Sequence, residues 1–319
     1  MTEAVRGSAF AQRVKTLELQ EYALAIVVVL LFVVGAILKP DTFPTIDNVR
    51  NMLTQASVVG VLAIGMTFVI ATGGIDLSVG SMTAAAAVAG GQVADSGSGA
   101  FILGALGMGI LLGGINAGVI AYGKVVPFIA TLAMFTMARG LALWMSDKQP
   151  ISLFDLEMVR WFGNGEVVGV PSAAIVFLGV TAIAWVLLNR TRYGRYVVAV
   201  GGNREAARIA GVNVSRIVFS VYVLSGICVA IAALLVSGRL SSASPIIGEL
   251  YELDAIAAVV IGGTALAGGR ATIVGTFLGV ITFALIFNLL TLMDLAVEIQ
   301  QVTKGLIILA AVLIQRRES

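Results

Sequence analysis

The sequence predicts an all-α membrane protein that crosses the bilayer about ten times, and three observations carry this prediction. Of the 319 residues, 59% are apolar before the 37 glycines are counted. Only 12% are charged, against about 25% in soluble domains, and the mean hydropathy is +1.01. The apolar residues also fall into separate runs. Such a chain cannot cover its own surface with polar groups, so its fold requires lipid.

The apolar runs give the order of the predicted spans. They lie at residues 22–38, 56–72, 81–94, 100–122, 127–145, 172–188, 217–237, 255–267, 273–290 and 302–314. A straight helix needs about 20 residues to cross the hydrocarbon core. The third and eighth runs are too short for this, so we expect them to be broken or buried within the bundle.

The first run is interpreted as an uncleaved span. The polar segment 1–21 carries Arg6, Arg13 and Lys15 ahead of it, as a secretory signal would. No small-residue cleavage pattern precedes Lys39, which favours a membrane helix over a signal peptide. We therefore expect a cytoplasmic segment 1–21 followed by a single transmembrane domain, 22–315.

The distribution of charge predicts the orientation. Cytoplasmic loops of membrane proteins are enriched in Lys and Arg. With the N-terminus inside, 13 basic residues lie inside and five outside, while twelve of the 18 acidic residues lie outside. Both termini are thus predicted to be cytoplasmic. The longest cytoplasmic loop is then 189–216 and the largest external loop is 146–171.

Glycine and alanine indicate close helix packing and an internal symmetry. Small residues let helix backbones approach each other in lipid. Asp76 is followed 14 residues later by Gly90, and Asp254 is followed by Gly268 at the same spacing. On the predicted map the two carboxylates lie at opposite ends of their hairpins, as an inverted five-plus-five repeat requires. Chance in a chain rich in Gly and Ala is the alternative.

Several chemistries are excluded by composition. The chain has no histidine and one cysteine, Cys228, so it offers no histidine proton shuttle, no intrachain disulfide and no histidine or multi-cysteine metal site. Residues 118–124 match most of a P-loop, but Val125 replaces the Ser or Thr that binds magnesium. We therefore expect no catalytic, metal or cofactor residues in this chain, and no nucleic-acid partner. Any ATP and Mg²⁺ would be bound by another chain.

The most informative part of the longest cytoplasmic loop is residues 203–211. Asn203 is a favourable N-cap and Gly211 a favourable C-terminal stop, so the segment predicts a short helix. The small apolar residues between them suit the groove of a partner protein. A solvated helix on the membrane surface fits the spacing equally well. The candidate contact residues are Asn203, Glu205, Ala206, Ala207, Ile209 and Gly211.

This segment resembles the EAA loop of ATP-binding-cassette (ABC) importer permeases, through Glu205-Ala206-Ala207 and Gly211, although the downstream Ile-x-Leu-Pro is absent. Further motifs resemble the ribose-type branch of these permeases and together cover essentially residues 50–315. They are ATGGIDLSVGS at 71–81, PFIATL at 127–132, RLSSA at 239–243, YELDAIAAVV at 251–260 and the glycine-rich segment 262–276.

The resemblance implies the partners and location. Permeases of this branch work in pairs in the bacterial inner membrane, with a cytoplasmic ATPase and a periplasmic sugar-binding protein. The resemblance implies a homodimer here. They import pentoses and related small sugars by alternating access. The chain would then be a transport subunit and not an enzyme, its EAA-like helix contacting the ATPase and its acidic outer face the binding protein.

Polar residues inside the spans are candidates for the path or gate. An ionised carboxylate in a span is costly unless it is paired or hydrated, so Asp76 has either a structural or a path-lining role. Arg139 is a candidate partner for it. The other candidates are Ser78, Asn116, Thr131 and Asn288 for the path, and Glu249, Glu252 and Asp254 for an external dock or gate. Interhelical hydrogen bonding and a solvated charge run are the structural alternatives.

Two other functions remain open from the sequence. A proton-coupled secondary transporter would use Asp76 or Asp254 as proton carrier and need no ATPase. An ABC permease could instead carry a nucleoside, a signalling furanose or a branched-chain amino acid. The shortage of charged side chains in the spans favours a neutral sugar over a charged amino acid.

Overall fold

The computed structural model describes residues 21–317, with side chains through residue 313. The predicted basic segment ahead of the first span, with Arg6, Arg13 and Lys15, lies outside the described residues. The helices are α1 Glu21–Leu38, α2 Ile46–Ala71, α3 Val79–Gln92, α4 Ser98–Ala121, α5 Pro127–Met145, α6 Glu157–Asn164, α7 Ser172–Arg190, α8 Arg192–Gly202, α9 Arg204–Ile209, α10 Val214–Leu240, α11 Tyr251–Ile261, α12 Ile273–Leu292 and α13 Val297–Arg317.

Four strands of two residues each lie in the loops of the described chain and form two antiparallel pairs. Strand β1, Ile151–Ser152, pairs antiparallel with β4, Ser242–Ala243. Strand β2, Glu166–Val167, pairs with β3, Val170–Pro171. The predicted external loop 146–171 therefore contains the helix α6 and three of these strands, which periodicity did not reveal.

Seven of the described helices are long and apolar enough to cross a membrane: α1, α2, α4, α5, α7, α10 and α12. They confirm a helical, multi-pass membrane protein. The third and eighth runs form α3 and α11, of 14 and 11 residues. Both are too short to span, as predicted, and both are mostly buried. The last run forms α13, and the total of ten crossings stays a prediction.

Side chains before the helices fix several helix starts. A hydroxyl or amide oxygen at the N-cap accepts a hydrogen bond from a free backbone N–H of the first turn. Thr45 does so for α2, Thr191 for α8, Asn213 for α10 and Thr272 for α12. Helix α5 begins instead with Pro127, whose fixed φ suits the first position.

Helices α2 and α10 form the centre of the bundle and contact each other. Every residue of α2 from Gly60 to Ala71 is buried. Helix α10 packs on α3 and α4, while α2 packs on α11 and α12, and α3 contacts α4 as α11 contacts α12. Exchanging α2, α3 and α4 for α10, α11 and α12 thus reproduces the packing.

Glycine makes these contacts close, as the composition predicted. A Cβ at Gly113 would lie 2.9 Å from the Cα of Gly226, at the crossing of α4 and α10. Gly262 and Gly275 bring α11 and α12 together in the same way. The backbones approach because these residues have no side chain.

The spacing that indicated a repeat does not fall on equivalent positions. Asp76 lies three residues before α3, whereas Asp254 lies within the first turn of α11. Gly90 lies in the last turn of α3, whereas Gly268 lies in the loop after α11 with a φ of 85°. The symmetry visible in the helix pairing therefore does not come from the Asp-to-Gly spacing.

Contacts between helix ends define two opposite faces of the bundle. On one, the amide of Gly269 donates to the carbonyl of Ala71 at 3.0 Å, beside the end of α8. We call this the α9 face. On the other, Gln92 donates to the carbonyl of Met145, and α6 packs against Gly238 near the end of α10. We call this the α6 face.

Candidate functional site

A non-helical segment, residues 72–78, separates α2 from α3 and holds Asp76, which is fully buried. The backbone amide and hydroxyl of Ser78 donate to Asp76 Oδ1 at 3.0 and 2.5 Å. The hydroxyl of Ser225 on α10 donates to Oδ2 at 3.1 Å. Both carboxylate oxygens are therefore bound by neutral donors, which is how a buried carboxylate avoids an unmet desolvation cost.

Two more predicted residues join this segment. Asn116 on α4 donates to the hydroxyl of Ser78 at 2.9 Å. Thr131 on α5 bonds within its own helix, to Pro127 at 2.9 Å, and approaches the carbonyl of Ile75 at 3.4 Å. Four of the five path candidates therefore meet around one break, and all four are buried.

Asn288, the fifth path candidate, lies elsewhere. It exchanges amide hydrogen bonds with Asn48, at 2.9 and 2.8 Å, and so joins α12 to α2. Asn48 also donates to the carbonyl of Phe43 at 2.9 Å. This is the interhelical hydrogen bond that was the structural alternative for Asn288.

The expected pairing of Arg139 with Asp76 is wrong. Arg139 Nη1 donates to the carbonyl oxygens of Pro245 and Ile247, in the loop that precedes α11. Asp76 instead takes its hydrogen bonds from Ser78 and Ser225. Backbone carbonyl groups thus satisfy the guanidinium of Arg139. The sequence could not predict this contact, because the loop lies far from Arg139 along the chain.

The starts of α3 and α11 meet at a glycine contact. Gly80 lies in the first turn of α3, and a Cβ there would collide with the carbonyl oxygen of Gly248 and with the carboxylate of Glu252. Gly248 has a φ of 76°, which favours glycine. The two short helices can therefore pack end to end only with glycine at both positions.

The three acidic residues predicted on an outer loop do not form a solvated run. Glu249 is exposed, but Glu252 and Asp254 lie in the first turn of α11 and are only 6% and 9% exposed. Asp254 Oδ1 pairs with the ammonium of Lys304 on α13 at 2.5 Å. That ammonium also lies over the rings of Phe283 and Phe287 of α12. The pair therefore joins α11, α12 and α13 inside the bundle.

The predicted short helix at 203–211 is confirmed. The side chain of Asn203 accepts from the amide of Ala206 at 2.9 Å, and Gly211 follows the helix with a φ of 83°. Ala207 is buried, whereas Ile209 is 79% exposed. Glu205 pairs with Arg208 at 2.7 Å on the exposed side. The helix thus presents an exposed isoleucine and a charged pair.

Helix α9 is joined directly to the segment that holds Asp76. Arg204 donates to the carbonyl of Thr72, the first residue after α2, at 3.4 Å. At the end of α8, a Cβ at Gly201 would collide with the carbonyl oxygen of Ala71. Backbone contact without side chains leaves little room for slippage. A displacement of α8 and α9 would therefore also displace the end of α2.

Residues 48–312 match a protein family described as the permease component of a branched-chain amino acid transport system. The chain belongs to this permease family. It is also similar to proteins named ribose import permease: 43% identical to that of Bacillus subtilis over 91% of each chain, and 41% identical to that of Haemophilus influenzae over 90% of each. The Escherichia coli K12 protein is 38% identical over 99% of each chain. No solved structure matches the chain.

Sequence reasoning missed several residues of this candidate site. Tyr222 and Ser225 lie three positions apart on α10, on one side of the helix, and both reach the break: Tyr222 donates to the carbonyl of Ile75 at 3.3 Å. Their signal was a pair of hydroxyl side chains at helical spacing in a mostly apolar span. Arg204 and Gly80 gave no signal, because their roles depend on which backbones lie beside them.

Proposed function

We propose that this permease is the membrane subunit of an ABC importer for ribose or a closely related neutral monosaccharide. It lies in the bacterial inner membrane with both termini in the cytoplasm. The seven long helices cross the membrane, and α3, α11 and α13 complete ten membrane segments. The names of the relatives support the sugar, and the exchange of α2, α3 and α4 for α10, α11 and α12 supports an inverted repeat.

The orientation rests on charge. Arg192 and Arg195 of α8, and Arg204 and Arg208 of α9, belong to one exposed segment at the α9 face. Basic residues concentrate in cytoplasmic segments. We therefore place the α9 face in the cytoplasm and the α6 face outside.

The observation that carries the coupling proposal is the bond from Arg204 to Thr72. A cytoplasmic ATPase, which binds ATP and Mg²⁺, would contact the exposed side of α9, including Glu205 and Ile209. Its closure would displace α8 and α9 against the end of α2. The break at 72–78 would then change its angle to α3, which is the rigid-body change that alternating access needs.

The remaining partners follow from the family resemblance. Two copies of the permease would form the path between them, and a periplasmic binding protein would deliver sugar at the α6 face. Glu249, exposed beside the start of α11, is available to such a partner, while Glu252 and Asp254 would act as gate residues within the bundle. A pore for a neutral polyol needs polar groups but no fixed charge.

Uptake by a reconstituted system tests the function. The full chain is placed in proteoliposomes with an ATPase and a periplasmic binding protein of the ribose-import type, and uptake of ribose, galactose and leucine is compared. We expect ATP-dependent uptake of ribose and none of leucine. Uptake by this chain alone under a pH gradient would contradict the proposal, and leucine uptake would contradict the sugar.

The coupling step has a separate test. Replacing exposed Ile209 with Asp should abolish most sugar-stimulated ATPase activity, because a charge enters an apolar contact. Arg195→Gln, on the exposed side of α8, is the matched control and should leave stimulation unchanged. Equal stimulation in both variants would show that α9 does not contact the ATPase.

A further inference from the structure

A cavity of ≈ 310 Å³ lies at the α9 face, between the turn that joins α4 to α5 and the starts of α9 and α10. Its polar lining includes Lys124, Arg204 and Ser215. Its apolar lining includes Ile120 and Val218, from the end of α4 and the start of α10. The cavity is therefore cationic on one side and apolar on the other.

The charge of this cavity is not balanced by the described part of the chain. None of the residues that line it is acidic. Glu205, next to Arg204 in sequence, pairs with Arg208 instead, at 2.7 Å. Arg204 donates only to the carbonyl of Thr72, and Lys124 forms no salt bridge with any residue that the structure describes. Two cations without a counter-ion attract an anion.

An apolar surface continues from the cavity along α5. Pro127 lines the cavity, and the next residues of α5, including Phe128, Ile129 and Leu132, are exposed. On α4, Ile115 and Val119 are exposed as well. An exposed apolar surface of this kind suits the acyl chains of a lipid. A free phosphate ion would use the cations but not this apolar surface, whereas a lipid would use both.

We propose that this cavity binds the headgroup of an anionic phospholipid of the cytoplasmic leaflet, with its phosphate between Lys124 and Arg204 and its acyl chains along α4 and α5. Basic cavities between transmembrane helices on the cytoplasmic side bind anionic headgroups for the same reason. Because Arg204 also bonds Thr72, the lipid would sit directly beside the joint between α9 and the break. The choice of leaflet rests on the orientation given under the proposed function, but the binding itself does not.

Native mass spectrometry of the full chain tests the proposal, with phosphatidylglycerol and phosphatidylcholine of identical acyl chains as probes. We expect phosphatidylglycerol to bind more tightly. Lys124→Gln and Arg204→Gln should each weaken it about fivefold, and the double variant about twentyfold. Arg195→Gln, which changes an exposed arginine that does not line the cavity, should have no effect. Lys124→Arg, which keeps the charge, should restore binding and guards against a folding defect.

Three results would overturn the proposal. The first is equal affinity for the two lipids. The second is phosphatidylglycerol binding that the double variant does not weaken although its unfolding temperature is unchanged. The third is competition by inorganic phosphate at the same concentration as lipid, which would assign the cavity to a free anion. None of these depends on sugar uptake, so failure here is distinguishable from failure of the importer function.

Discussion

The carboxylates associated with the two short buried helices, Asp76 before α3 and Asp254 in α11, are stabilised in different ways. Asp76 before α3 receives hydrogen bonds from the hydroxyls of Ser78 and Ser225 and has no counter-ion among the described residues. Asp254 in α11 is paired with the ammonium of Lys304. Asp76 lies three residues before its helix and Asp254 lies in the first turn of its own, and both helices are too short to span the membrane. The chemistry that surrounds them differs even though their helices pack equivalently.

The difference predicts how each carboxylate responds to loss of charge. A hydroxyl can turn from donor to acceptor, so neutral partners adapt to a neutral amide. An ammonium has only donors, so removal of its carboxylate leaves a buried charge. The α3 region is therefore expected to tolerate neutralisation and the α11 region not. Four substitutions are given in order of decreasing expected effect, and two of them, Lys304→Met and Asp76→Asn, test this contrast directly.

Lys304→Met should have the largest effect on stability. It leaves the buried carboxylate of Asp254 without its counter-ion. Breaking a buried ion pair in this way typically costs about 3–5 kcal/mol. Unfolding in detergent micelles measures the change. The double variant with Asp254→Asn should recover much of the loss, because neither charge remains. If the double variant were as unstable as the single one, the ion pair would not be what stabilises this junction.

Gly80→Ala should be next, with a loss of about 1–3 kcal/mol. Its methyl group would collide with the carbonyl of Gly248 and the carboxylate of Glu252, where α3 meets α11. Gly107→Ala on α4 is the matched control, because a Cβ there meets nothing within 4 Å. Equal thermal stability of the two variants would show that α3 and α11 are not in close contact at Gly80.

Asp76→Asn should cost about 1 kcal/mol, the worth of a hydrogen bond that is weakened but not lost. The amide keeps one oxygen for the backbone N–H of Ser78, and the hydroxyl of Ser225 can accept from its NH₂ group. Sugar uptake in proteoliposomes should be retained. Loss of uptake with unchanged stability would instead give Asp76 a direct role in the path, where its charge matters.

Glu205→Gln should change stability least. Both members of its pair with Arg208 are exposed, and surface pairs contribute little. We expect no measurable shift of the unfolding temperature, but a reduced stimulation of the ATPase. A clear loss of stability would show that this pair holds α9 against the bundle, in contrast to its proposed contact with a partner.

Local sequence signals predicted the parts of the fold that depend on few residues. The helix over residues 204–209 follows from Asn203 as N-cap and Gly211 as a stop, since both act through backbone atoms within one turn. The short helices α3 and α11 follow from run lengths alone. The long helices were found too, although α2 begins at Ile46, ten residues before its apolar run.

The same sequence signals did not predict the amphipathic helices. Helix α8 lies within the predicted loop 189–216 and buries only Gly194, Val197 and Val200. Helix α6, in the predicted external loop, buries Val159 and Gly163. A search for long apolar runs cannot find a helix with one narrow buried side. Their signal was the spacing of three to four residues between small or apolar positions.

The sequence by itself determined that this protein needs a lipid bilayer, that it is helical and which family it belongs to. These properties depend on composition and on motifs along the chain. Tertiary structure alone decided the partners of its buried charges. Arg139 binds backbone carbonyls of a loop more than a hundred residues away, and Asp76 binds a serine of α10. Bonds of this kind depend on which helices become neighbours, and the glycine contacts that set those neighbours are formed only when the bundle is packed.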